Sequence, residues 1–122
     1  MRIVNLTQHQ ATPEQRDAGV FEPVGKKAVQ SLLTFDRMLT PDKIKTRANA
    51  LTCLAQFEMA EAAMIGGAPY LMGPLEQSLR RYGITPLYSF SRRESEEQVL
   101  PDGSTKKVAI FRHVAFIEGT IS

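Results

Sequence analysis

Residues 62 to 90, AAMIGGAPYLMGPLEQSLRRYGITPLYSF, leave few folds open to the chain. An apolar run from about Ala62 to Ile65 meets two glycines, Gly66 and Gly67, and then a segment whose apolar residues Leu75, Leu79 and Tyr82 recur at helical spacing. Gln77, Arg80 and Arg81 take the water side, Pro69 or Pro74 suits the first helical turn, and Gly83 stops the helix before the β-favouring run ITPLYSF. The order is strand, glycine turn, helix, strand. Strands joined by a helical crossover run parallel, and parallel sheets have to be covered on both faces, so an α/β fold is predicted.

The remaining segments extend this pattern. RIVNL, residues 2 to 6, reads as a buried strand emptying into the polar loop Thr7-Gln8-His9-Gln10. Thr12, Pro13, Gln15 and Gly19 carry the cap, first-turn, capping-box and stop signals of a short helix. In residues 20 to 39, VFEPVGKK suits a short edge strand and AVQSLLTF fits either a helix or a strand. Thr40-Pro41-Asp42 opens a clearer helix, with Ile44, Ala48, Leu51, Leu54 and Ala55 at helical spacing up to about Met59, and this helix should cover one face of the sheet. PDGS, between a charged segment and KKVAIFRHVAFI, predicts a hairpin turning at Asp102-Gly103 with an antiparallel edge strand last. Strict alternation there sets Val108, Ile110, Arg112, Val114 and Phe116 on one face, and Ala109, Phe111, His113, Ala115 and Ile117 on the other. The expected architecture is a small, mostly parallel sheet flanked by helices with a C-terminal antiparallel hairpin. At 122 residues with 43% hydrophobic residues, the chain suffices for one core and one domain, residues 1 to 122.

Charge restricts function more than it suggests one. Fifteen Lys and Arg against 13 Asp and Glu give a net charge of +2, which argues against duplex nucleic acid and membrane surfaces as partners. Any anion site is therefore local. The one cysteine, Cys53, allows no intrachain disulfide and falls in a helical stretch where a buried thiol acts as a small hydrophobe, and a cytoplasmic location fits. The first residues do not read as a signal peptide, and no run approaches a membrane span.

In open α/β sheets, ligands bind beyond the carboxyl ends of the parallel strands. Three segments are predicted to meet there: Thr7-Gln8-His9, Gly66-Gly67-Ala68, and Ser89 to Arg92. They offer amides, hydroxyls, an imidazole and a guanidinium, a set suited to phosphates. Each has a plainer reading. Gly66-Gly67 lacks a P-loop lysine and suits a tight turn, His9 suits a loop histidine, and Arg92 and Arg93 suit surface pairs with Glu94, Glu96 and Glu97. Because neighbours in extended chain face opposite ways, Arg92 is expected to meet the ligand and Arg93 the hairpin acids. His113 reads as a partly buried structural histidine. HExxH, CxxC and GxSxG are all missing, so neither a metal nor a cofactor is expected and any chemistry comes from positioning.

The ordering of NLTQHQATPEQRDAG, MIGGAPYLM and GITPLYSFSRRESEEQVLPDGSTKKVAIFRHVAFIEG resembles that of small CRISPR-associated proteins of the ring-nuclease type. The resemblance is closest in the C-terminal third and covers about half the chain. It implies a single Rossmann-like domain that binds a cyclic oligoadenylate second messenger, as a homodimer with the ring across two subunits. Where such proteins cleave, a ribose 2′-hydroxyl attacks the adjacent phosphodiester without metal. Carried onto this sequence, the resemblance matches Thr7, Gln8 and His9, Gly66 and Gly67, and Ser91 and Arg92; with Ser89 from the strand-end reading, catalytic roles are expected of His9 and Arg92 and ligand-binding roles of Thr7, Gln8, Gly66, Gly67, Ser89 and Ser91. The proline in GGAPYLM departs from a more open glycine loop. The alternative from another class is a non-enzymatic interaction module that uses the hairpin edge to recruit a protein.

Overall fold

A computed structural model describes residues 1 to 119. Along the chain run β1 (Ile3–Leu6), α1 (Pro13–Asp17), β2 (Val20–Phe21), α2 (Lys26–Leu33), α3 (Pro41–Phe57), β3 (Ala62–Ile65), α4 (Pro69–Arg81), β4 (Thr85–Val99) and β5 (Thr105–Glu118). The five strands form one sheet in the order β2-β1-β3-β4-β5. β1 pairs in parallel with β2 and β3, β3 pairs in parallel with β4, and β4 pairs antiparallel with β5. Because the β4–β5 ladder is longer than any of the parallel ones, the sheet is mixed, where the sequence predicts a mostly parallel one. The cause lies in β4. Its strand does not stop near Tyr88 but continues through the charged SRRESEEQ, since β5 satisfies that backbone whatever the side chains are.

Two cores sandwich the strands. Val4, Leu6, Ala63 and Ile65 meet Val29 and Leu33 of α2, Leu51 and Ala55 of α3, and Leu71, Leu75 and Leu79 of α4. On the other face Ile3, Ala62 and Met64 join Val20, Ala11 before α1, Leu87 of β4 and Phe116 of β5. β1 and β3 are buried along their whole length, which explains their unbroken apolar sequences. The ambiguous AVQSLLTF lies largely in α2, and Val29 and Leu33, one helical turn apart, both face the larger core.

Three readings need correction. Cys53 is exposed, because α3 buries Ala48, Leu51, Thr52 and Ala55 and thereby turns position 53 outward. Thr52 is the buried polar residue, donating to the Ala48 carbonyl and to Ser78 of α4, which in turn reaches Asn49. Tyr82 is exposed rather than part of the α4 stripe, whereas Arg80 turns inward to Glu118 and the Gly119 carbonyl. The alternation expected of β5 fails at a bulge: Phe90 pairs with Ala115, but Ser91 pairs with His113. The extra residue places His113 and Phe116 on one face, with their rings 4.5 Å apart.

Candidate functional site

β1 lies between β2 and β3, so the chain leaves it in one direction and returns on its other side. The loops after β1 and β3 lead to α1 and α4, which pack on opposite faces, and a crevice opens between them. Its cavity measures about 600 Å³. Thr7, Gln8, His9 and Gln10 form one wall, Gly66, Gly67 and Ala68 another, and Tyr88, Ser89 and Ser91 a third, with Thr12 and Gln15 alongside and Leu33, Met64 and Ile65 below. The three predicted segments thus converge. The lining's ionisable side chains are the His9 imidazole and the Tyr88 phenol, it holds no carboxylate, and the rest is amide, hydroxyl and backbone over an apolar floor.

The first wall is fixed from beneath. Asn5 is fully buried in β1, and its Oδ1 accepts from the Thr7 N–H at 3.0 Å and the Thr7 hydroxyl at 2.6 Å. Its amide donates to the His9 carbonyl at 2.7 Å and to the Glu22 carboxylate at 3.0 Å. Glu22 also accepts from the Ala11 N–H at 2.7 Å. Lys26 donates to the Thr7 and His9 carbonyls and pairs with Glu22 at 3.1 Å. Burial pushes the Glu22 carboxyl up, but the hydrogen bonds from Ala11, Asn5 and Lys26 outweigh it and hold the group below its ordinary value. Gln8 reaches Thr34 beyond α2, while His9 is held by its carbonyl and is itself exposed.

In the second wall Gly67 has φ 147°, a conformation L side chains rarely adopt, and it turns the chain into Ala68 at the amino end of α4. A Cβ at Gly67 would meet only ordinary contacts, so the backbone, not crowding, requires glycine there. The departure at Pro69 is accommodated: it occupies the first helical turn, where no N–H is needed. Pro74 lies inside α4.

The third wall belongs to β4. The Tyr88 hydroxyl donates to Glu76 of α4 at 2.6 Å, and burial followed by this carboxylate pushes the phenol well above its ordinary value. Ser89 lies 2.7 Å from Nδ1 of His113 and accepts from the Gln15 amide at 3.1 Å. Ser91 lines the cavity; Arg92, next along the strand, lies outside the lining and is exposed, opposite Arg112. Among the described residues neither Arg92 nor Arg93 is in an ion pair, and Arg112 instead meets Glu94, Glu96 and Glu14 of α1.

Asn5, Gln15, Glu22, Lys26 and His113 support the site without having been singled out for it. Asn5 carried a signal, as the one amide in an apolar strand that must bury both faces. Gln15 was legible as a capping residue only. Glu22 and Lys26 fell in the least readable segment, and His113 was hidden by a bulge that alternation does not foresee. Among the described residues, no three His, Cys, Asp or Glu side chains cluster as metal ligands would. No described helix is long and apolar enough to cross a membrane.

The sequence model of the uncharacterized protein MJ1673 family matches residues 1–117, and the chain belongs to that family. No curated protein and no solved structure matches it.

Proposed function

We propose that this member of the family binds a cyclic oligoadenylate, or a short RNA-like oligonucleotide of the same chemistry, in the crevice beyond β1, β3 and β4, and cleaves it without metal in antiviral signalling of the CRISPR type. In this reading the α/β unit is a small cytoplasmic Rossmann-like domain. The observation that carries it is the convergence of residues 7 to 10, 66 to 68 and 88 to 91 on one cavity free of carboxylates. Carboxylates would repel phosphates, whereas backbone N–H groups, amides and hydroxyls hold them and leave bases room to pack.

A cavity of about 600 Å³ falls in the range of about 300–1,000 Å³ usual for small-ligand sites. A ring of several nucleotides exceeds it, which supports two copies of the chain facing one ligand across a two-fold axis. The hairpin supports pairing as well. Among the described residues β4 is paired beyond β3 only with β5, the outer edge of β5 has no partner strand, and Phe90 of β4 and Val114 and Ile117 of β5 are exposed. Two-stranded ribbons are marginal alone. Arg92, next to Ser91, is the guanidinium such a ring meets once it extends past the lining, and His9 at the rim stands ready to serve the leaving group.

The test is a panel of cyclic oligoadenylates of different ring size, with bound and cleaved species resolved and light scattering recorded in parallel. Saturable retention of at least one ring by a dimer is expected. Retention of none at micromolar protein and low salt would sink the reading. The unpaired β5 edge then favours the second one, a non-enzymatic module that adds a partner's strand to the hairpin.

A further inference from the structure

We propose that Ser89 and His113 are the proton-accepting pair of this cavity: Ser89 takes the proton of a ligand hydroxyl and passes its own to His113. The inference rests on the ligand reading above and deepens it, since the hydroxyl concerned is the ribose 2′-hydroxyl.

The hydrogen-bond directions through Gln15 follow from a chain of constraints, and the direction to His113 is part of the proposal. The capping box of α1 requires Gln15 Oε1 to accept from the Thr12 N–H, at 3.0 Å, because a backbone N–H can only donate. The Gln15 Nε2 is thereby turned to Ser89 Oγ, at 3.1 Å, and must donate to it. We assign the Ser89 proton to the contact of 2.7 Å with His113 Nδ1, the direction that the Nε2–H tautomer of the imidazole allows. The neutral imidazole then carries its proton on Nε2. A hydroxyl has one proton and two lone pairs, so what Ser89 has left for the cavity is a single lone pair. It can accept from a ligand and has no proton to give one. A ribose hydroxyl is such a donor, and an imidazole behind Ser89 makes the acceptance a proton transfer rather than a mere contact.

The step balances without a cofactor. The 2′-hydroxyl proton moves to Ser89 Oγ as the Ser89 proton moves to His113 Nδ1. The 2′-oxygen bonds to the adjacent phosphorus, the P–O5′ bond breaks, and the leaving oxygen takes a proton from a water that His9 orients at the rim. The imidazolium returns its proton to the hydroxide so formed. The products carry a 2′,3′-cyclic phosphate and a 5′-hydroxyl, and nothing is oxidised or reduced. Ser89 is the catalytic residue; His113 acts through it. The charges on the elements packed nearby leave the pair alone: Glu14 of α1 and Glu94 and Glu96 of β4 are taken by Arg112, while Arg92 and Arg93 are exposed. Tyr88 is held by Glu76.

The experiment compares the full chain with Ser89→Ala and His113→Asn, using the cyclic oligoadenylate retained best and its 2′-deoxy analogue. Single-turnover cleavage and binding are followed across mildly acidic to neutral pH. The wild type is expected to bind the ring and cut it, with a rate that falls towards acid as His113 Nδ1 gains a proton and can no longer accept one. His113→Asn should bind within about threefold, Ser89→Ala should bind more weakly by the factor that the wild type loses on the 2′-deoxy ring, and both should cut at least about 100-fold slower, the usual scale of general-base loss. In His113→Asn the acid limb should vanish, which a structural role would not produce. The 2′-deoxy ring should bind the wild type more weakly, and that penalty should disappear in Ser89→Ala. A ring bound but not cut by the wild type, or cut at wild-type rate by either variant, overturns the pair and leaves the binding reading standing. A wild type that binds no ring overturns both.

Discussion

The loop after β1 and the hairpin beyond β3 wall the same cavity and are held in opposite ways. Thr7 to Ala11 is a loop by conformation, yet Asn5, Glu22 and Lys26 satisfy its amides and carbonyls from below, and the key amide is fully buried. The hairpin is regular β-structure over more than a dozen residues per strand, yet most of β4 is exposed. Regular secondary structure is therefore a poor guide to rigidity here. What fixes a wall is how many buried polar groups depend on it, because leaving one unpaired costs about 1–3 kcal/mol, whereas an exposed pair is replaced by water almost without loss.

The largest expected effect tests the first half of this contrast. Asn5→Ala strands the Thr7 N–H and removes one bond each from Glu22 and from the His9 carbonyl, which keeps Lys26, and should cost about 3 kcal/mol in urea unfolding. A loss under about 1 kcal/mol would mean that the loop is not pinned as described. Glu22→Gln should cost less, about 1.5 to 3 kcal/mol, the scale of hydrogen bonds to a charged group. It also carries a pH signature. The Glu22 value is lowered by folding, so its contribution is complete above the ordinary value of 4.5 and is lost as pH falls through the lower folded value. The variant should show a flatter loss of stability below that pH than the wild type, and identical acid limbs would remove Glu22 from the network.

The same contrast explains what the sequence disclosed. Elements whose signals are local were legible: the Thr12 and Thr40 caps, the Gly66-Gly67 turn and the four apolar residues of β3 all stand where their chemistry predicts. The meeting of the three site segments was legible too, because the carboxyl ends of parallel strands share an edge. Long-range polar partners were not, since nothing in GVFEPVGKK shows that Glu22 and Lys26 close on Asn5 from 17 and 21 residues away. The β5 bulge was invisible for a related reason. Alternation assumes an unbroken ladder, and a single unpaired residue at Val114 moves His113 to the face of Phe116 and against Ser89.

The smallest effect sharpens the other half. Arg112 meets Glu94 at 2.9 Å, Glu14 at 3.6 Å and Glu96 at 3.9 Å, and is the side chain that ties the hairpin to α1 by charge. With about half of it exposed, each pair is screened and adds little, so Arg112→Ala should cost less than about 1 kcal/mol in global unfolding. That cost should shrink further in 1 M salt, where the screening length falls to about 3 Å. The local outcome differs from the global one. Amide exchange should quicken in the hairpin from Ser91 outward, while β1, β3 and the paired start of β4 keep their protection, because those strands are buried between helices and owe nothing to Arg112. A loss comparable to that of Asn5→Ala, or faster exchange that spreads into β1, would show that the hairpin supports the sheet rather than the reverse.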